Sequence, residues 1–137
     1  MAARVATCAL LADRHHGLTR SLRDLLETTF ATVFMVADET SLIEGAERLS
    51  PTVVIVDLSL TGEDAIALLT RLRATARESK VVTLSVEDEP AVARSALAAG
   101  ADAVVLKRSI ATDLLPAIDK VLAAERYVSP AIRLMEH

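Results

Sequence analysis

Hydrophobic positions along this chain follow two alternating patterns. Short runs of β-formers, apolar at nearly every position, are separated by stretches in which Leu, Ile, Val or Ala returns every third or fourth residue. The first pattern reads as a strand buried on both faces, the second as an amphipathic helix. Strands are predicted at 5–12, 33–37, 53–56, 80–85 and 103–106. Leu18, Leu22, Leu25 and Leu26 mark the first helix. Ser41-Leu42-Ile43-Glu44 has the form of a capping box and opens a second, running through about Leu49. Thr61-Gly62-Glu63-Asp64 opens a third, continued by Ile66, Leu69, Leu72 and Arg73. Pro90 suits the first turn of a fourth, and Gly100 suits the position just past its end. Leu114, Ile118, Val121 and Leu122 mark the fifth, with Pro116 in or near its first turn.

Five βα units in regular order predict an α/β fold. The expected architecture is a doubly wound, five-stranded parallel sheet of order 2-1-3-4-5 with five helices, the flavodoxin-like arrangement. Its crossovers should be right-handed. A length of 137 residues fits one domain, expected over 1–125, with 126–137 as an exit segment containing Tyr127 and Ser129-Pro130. No solenoid repeat, low-complexity tract or interior linker interrupts it.

Composition refines this picture at a few points. Aromatic residues make up 2% of the chain, so the core must be built from Leu, Val, Ile and Ala. A net charge of −4 argues against nucleic-acid binding by these residues alone. The single cysteine, Cys8, lies in an apolar run and reads as a buried structural thiol. One cysteine cannot form an intrachain disulfide, so a reducing, cytoplasmic setting is expected. No apolar run approaches the roughly 18–20 residues needed to span a bilayer, so no membrane partner is expected.

Chemistry gathers at the carboxyl ends of the predicted strands, where open α/β sheets place their sites. The run Val53-Val54-Ile55-Val56 closes on Asp57, and Ala9-Leu10-Leu11-Ala12 closes on Asp13. With strands one and three adjacent, the two carboxylates should lie side by side. Ser85 ends the fourth strand and Lys107 follows the fifth. Two carboxylates, a hydroxyl and a lysine converging from four strand ends are more specific than any one of them. Taken singly, each has a structural reading: Asp13 could serve a helix dipole, Ser85 could cap backbone groups, and Lys107 could be a solvated strand-end charge. His15 and His16, adjacent at a loop-to-helix start, read as surface or capping residues.

These residues together make the chain resemble the receiver domain of two-component response regulators, from Val5 to about Ala124. In that resemblance Asp57 matches the phospho-accepting aspartate and Asp13 the first member of an acidic pair. Ser85 matches the switch hydroxyl and Lys107 the phosphate-contacting lysine. Ala98-Ala99-Gly100-Ala101-Asp102 is similar to the family's stretch before strand five, and 124–130 resembles the exit from NarL/LuxR-type receivers. The resemblance implies phosphoryl transfer from a sensor histidine kinase to Asp57, with Mg²⁺ held by Asp13, Asp57 and the carbonyl of Ser59. It also implies a homodimer, and DNA contact only through an effector domain not among these residues. The chain is not expected to be an enzyme.

The chain departs from the family pattern at the second acidic position, which is Arg14. A guanidinium has no acceptor atom and cannot ligate a metal. It is expected to pair with Asp13 and Asp57 instead, leaving the magnesium site weak or absent. Thr61 replaces a usual Pro, Val86 a small residue, and Val104 the Tyr or Phe that couples the switch hydroxyl to the output face. Two functions follow: a phospho-accepting receiver with impaired or altered magnesium dependence, or a phosphorylation-independent interaction or dimerisation module controlling a transcription-factor output. A small-molecule binder is the weakest reading. The chain has no G-x-G-x-x-G and no P-loop, and Asp13-Arg14-His15-His16-Gly17 falls one residue short of the cobalamin-type D-x-H-x-x-G.

Overall fold

In the computed structural model, which describes residues 7–14, 16–60 and 64–132, the runs of β-formers become strands. They are β1 (Cys8–Ala12), β2 (Thr32–Val36), β3 (Val53–Asp57), β4 (Lys80–Ser85) and β5 (Ala103–Leu106). Between and after them lie α1 (His16–Leu26), α2 (Glu39–Leu49), α3 (Ala65–Thr75), α4 (Pro90–Ala98) and α5 (Ile110–Leu122). A further strand, β6 (Tyr127–Val128), corrects the five-stranded expectation. The sheet has six strands in the order β2-β1-β3-β4-β5-β6, with every neighbouring pair parallel. Two residues are too few to show a period, so β6 had no signature in the sequence. Ala124, at φ 64°, turns the chain back after α5, and Tyr127 and Val128 then pair with Ala103 and Val104.

Strand alternation divides the core in two. Leu10, Val54, Val56 and Val104 face one side, where α2, α3 and α4 contribute Leu42, Leu68, Leu69, Leu72, Ala93 and Ala96. Ala9, Leu11, Val53, Ile55 and Val105 face the other, against Leu22 and Leu26 of α1 and Leu114, Ile118 and Val121 of α5. The central strands are mostly apolar because both of their faces are covered. The exit segment joins the first of these clusters through Ile132, which is buried.

Several local readings change. Asp38, not Ser41, caps α2: its carboxylate accepts from the N–H of Ser41 at 2.8 Å, so the helix starts three residues earlier than a capping box at Ser41 would place it. Asp64 caps α3 in the same way, accepting from Ala67. Thr61, Gly62 and Glu63 lie outside the described residues, as do His15 and the side chains of His16 and Leu18. Pro116 stands in the interior of α5, not its first turn, because that helix begins at Ile110. Ile66 and Leu122, expected in the core, are exposed. Cys8 is only partly buried, and that burial raises its thiol pKa.

At the opposite end of the sheet from the carboxylates, Arg73 ties three segments together. Its guanidinium donates to Ser79 O and Gly100 O at 2.8 Å and pairs with Asp102 Oδ2 at 2.8 Å. Asp102 also accepts from the N–H of Val81. Gly100 adopts φ 119°, and a Cβ there would stand 3.1 Å from Cβ of Arg73, so both the turn and the close approach call for glycine.

Candidate functional site

Adjacent parallel strands bring the predicted residues together. The β1–β3 register pairs Ala12 with Val56; Asp13 follows the first directly after β1 ends, and Asp57 follows the second as the last residue of β3. On the other flank Asp57 pairs with Leu84, one residue before Ser85, and Ser85 pairs with Leu106, one residue before Lys107. All four side chains therefore lie at the carboxyl edge of the sheet. Asp13 and Asp57 are 2% and 1% exposed, a degree of burial that a carboxylate sustains only with close partners.

Asp57 is held from two directions. Lys107 Nζ reaches its Oδ2 at 2.7 Å, and the N–H of Ser59 donates to its Oδ1 at 3.0 Å. Burial works against its charge. The Lys107 hydrogen bond, the Ser59 hydrogen bonds and the Lys107 charge outweigh burial and hold the carboxyl below its ordinary range. Asp57 is thus anionic at neutral pH, the state a nucleophilic carboxylate requires.

Arg14 is exposed and turns onto the backbone that follows β3. Its Nη1 donates to Ser59 O at 3.1 Å and to Leu60 O at 3.3 Å. Sequence reasoning named only carboxylates as its partners; these two carbonyls had no signal in the chain. Ser59 O is the carbonyl expected to complete a magnesium site, so a cation already hydrogen-bonds to that acceptor. Among the described residues, no three Asp, Glu, His or Cys side chains are gathered to hold a metal ion.

Ser85 is placed as expected but engaged elsewhere. Its hydroxyl donates to Glu87 O and accepts from Glu87 N, both at 3.0 Å, closing a small turn after β4. Val86, next to it, is 66% exposed. Beside Asp57 a cleft of about 530 Å³ opens between the start of α3 and α4, lined by Ser59, Ala65, Ser85, Val86 and Val92 among others. Val104 is fully buried below the site and carries no ring toward it.

A buried carboxylate that the sequence reading did not single out lies on α5. Asp113, on the otherwise apolar inner face of α5, accepts from the Ser129 hydroxyl at 2.7 Å, and Ser129 Oγ accepts from Leu106 N at 3.0 Å. A charged residue three positions after Ile110 and four before Ala117 was the available signal.

The comparisons with known proteins agree with this geometry. Residues 9–119 match the family model described as response regulator receiver domain. The nitrate/nitrite response regulator protein NarL of Escherichia coli is 32% identical over 127 residues, covering 90% of this chain and 58% of the relative. A homologue of that regulator in Haemophilus influenzae is 31% identical, and the chain spans 61% of its length. Among solved structures, a LuxR-family two-component response regulator from Aurantimonas sp. superposes with a TM-score of 0.84 at 28% identity, covering 91% of each chain. The isolated receiver domain of RcsB from Salmonella enterica, solved with the phosphomimetic BeF3-, gives a TM-score of 0.82 at 25% identity, covering 95% of this chain and 99% of that one.

Proposed function

The chain belongs to the response regulator receiver domain family, and from that premise we propose that Asp57 accepts a phosphoryl group slowly and with little dependence on magnesium. The observation that carries this reading is Arg14 Nη1 on the carbonyl of Ser59, 3.1 Å away. It puts a fixed cation at an acceptor that a divalent ion would need. Magnesium demands near-octahedral oxygen coordination, and this edge is one carboxylate short with one carbonyl taken. The donor set does not fit the ion, and no step is routed through it.

What remains is a carboxylate nucleophile and two cations. An Asp57 oxygen attacks phosphorus in line, forming an O–P bond as the P–N bond of a phosphohistidine breaks and the electron pair leaves with the imidazole. Lys107, 2.7 Å from Asp57, is placed to meet charge on the transferring group. Ser85 must leave the Glu87 backbone before its hydroxyl can join. The donor is a sensor histidine kinase, and the receiver pairs as a homodimer. The relatives are longer than this chain, and a separate structure of RcsB from Salmonella enterica, of which this chain covers 66%, is bound to the promoter P1flhDC. DNA contact here would come from a further effector domain.

A second reading is a receiver-like module that works without phosphorylation. It rests on the same Arg14 contact, which holds the loop after β3 in one position, and on buried Val104, which has no ring to relay a switch. Incubation with a small phosphodonor, followed by intact-mass measurement, separates the two. The first reading expects slow addition of one phosphoryl group to Asp57, insensitive to magnesium, and a gain of about tenfold with magnesium in Arg14→Asp. No addition in either form supports the second reading. Rapid, magnesium-dependent addition to the unaltered chain overturns both.

A further inference from the structure

The family's usual relay from hydroxyl to aromatic ring is missing here, yet another connection leads away from Asp57. We infer that residues 127–132 form an output strap whose docking is coupled to the Asp57–Lys107 ion pair through the buried chain Asp113–Ser129–Leu106. Leu106 lies on β5, which the two-residue β6 pairs only as far as Val104. Its N–H would be left on an open strand edge, and Ser129 Oγ takes that donor at 3.0 Å. The same hydroxyl gives its proton to Asp113 Oδ2 at 2.7 Å, while the N–H of Ser129 donates to Val104 O at 2.9 Å. Ser129 is 0% exposed, so each of these bonds is costly to leave unmade.

Position gives the chain its significance. Lys107 follows Leu106 and opens the 3-10 turn Lys107–Ser109 that leads into α5. Ser129 therefore holds the chain on both sides of Lys107, at the backbone N–H of Leu106 before it and at the carboxylate of Asp113 after it. Lys107 Nζ is meanwhile fixed on Asp57, which is buried. A movement of Lys107 toward a new charge on Asp57, or away from it, must pull on one of the two grips. The strap would feel it first, because it is anchored by two β6 residues, one serine and Ile132. Anything continuing past the strap would receive the change in its starting position.

Native-state hydrogen exchange on the full chain tests the coupling without any phosphodonor, so failure of Asp57 to accept phosphoryl groups cannot imitate failure of the strap. Amides of 127–132 exchange through local opening, which global stability does not set. Ser129→Ala is expected to speed their exchange by about tenfold, and Lys107→Met by at least about threefold, with β3 amides serving as the global reference. Asp57→Asn, which breaks the same ion pair from the other side, should act in the same direction and covers the case in which Lys107→Met folds poorly. In Ser129→Ala/Lys107→Met the second change should add little to the first. Unchanged strap exchange in both Lys107→Met and Asp57→Asn, or full additivity in the double variant, overturns the inference.

Discussion

Asp57 and Lys107 form a buried ion pair that is 1% and 13% exposed at its two side chains. Such a pair is weak evidence for stability as a whole, but removing one partner strands the other. Lys107→Met should therefore cost about 2 kcal/mol at neutral pH, with the Ser59 hydrogen bonds limiting the loss. The sign of the pH dependence follows from the direction of the shift. The folded-state pKa of Asp57 lies below its ordinary value, so its contribution is complete above about pH 4 and is lost as pH falls through the folded-state value. The difference between the unaltered chain and Lys107→Met should shrink over that acid range. Urea unfolding at a series of pH values measures it, and a difference constant with pH would contradict the assignment. Asp113 is a further buried carboxylate with a different task. After burial itself, its charge and hydrogen bonding hold the Tyr127 phenol above its ordinary pKa, as expected where a neutral donor faces an anion.

Helix and strand ends decide what each element can present. Two of the helices begin at an Asp whose carboxylate accepts from an N–H three residues on, which sets where α2 and α3 start. The placement of α3 matters because its first turn forms one wall of the cleft beside Asp57. Its other end is fastened by Arg73, which joins α3 to the start of β4 and to the turn before β5. Arg73→Met keeps the aliphatic stem but leaves the carbonyls of Ser79 and Gly100 and the carboxylate of Asp102 without this donor. Loss of about 2 kcal/mol is expected, discounted for partial exposure of the pair. Thermal unfolding checks it, and a change within about 0.5 kcal/mol would mean that solvent replaces the guanidinium. The carbonyl partners of Arg73 could not be read from the chain, since a backbone oxygen carries no residue identity.

For the whole molecule, β6 changes which edges of the sheet are open. The sheet ends at β2 on one side and at β6 on the other, so β5 is an interior strand for part of its length. Exposed Phe34 and Met35 lie on β2, while Val104 and Leu106 of β5 are fully buried. Truncation after Arg126 would remove β6 and Ile132 together. It would expose backbone donors and apolar residues along β5, the kind of edge that pairs with another chain. The truncated chain should unfold at a lower temperature and associate more with rising concentration than the full chain, as measured by sedimentation velocity. Equal behaviour of the two would show that 127–132 contributes nothing to closing this side of the domain.

The run of residues by itself determined most of the fold and which candidate residues meet at one sheet edge. Period and turn residues are local properties, so β3, β4, β5 and the helices could be read from hydrophobic spacing, and a parallel sheet then placed Asp13, Asp57, Ser85 and Lys107 at one edge. Arg14 was legible as a foreign charge for the same reason, because its position in the chain fixed its neighbourhood. The tertiary structure alone decided how these groups are paired. It set Arg14 on the Ser59 and Leu60 carbonyls, turned Ser85 onto Glu87, and returned the chain after α5 so that Ser129 could bridge Leu106 and Asp113. Each of those choices is made by the satisfaction of polar groups across segments distant in sequence, and no periodicity along one segment records which partner another will bring.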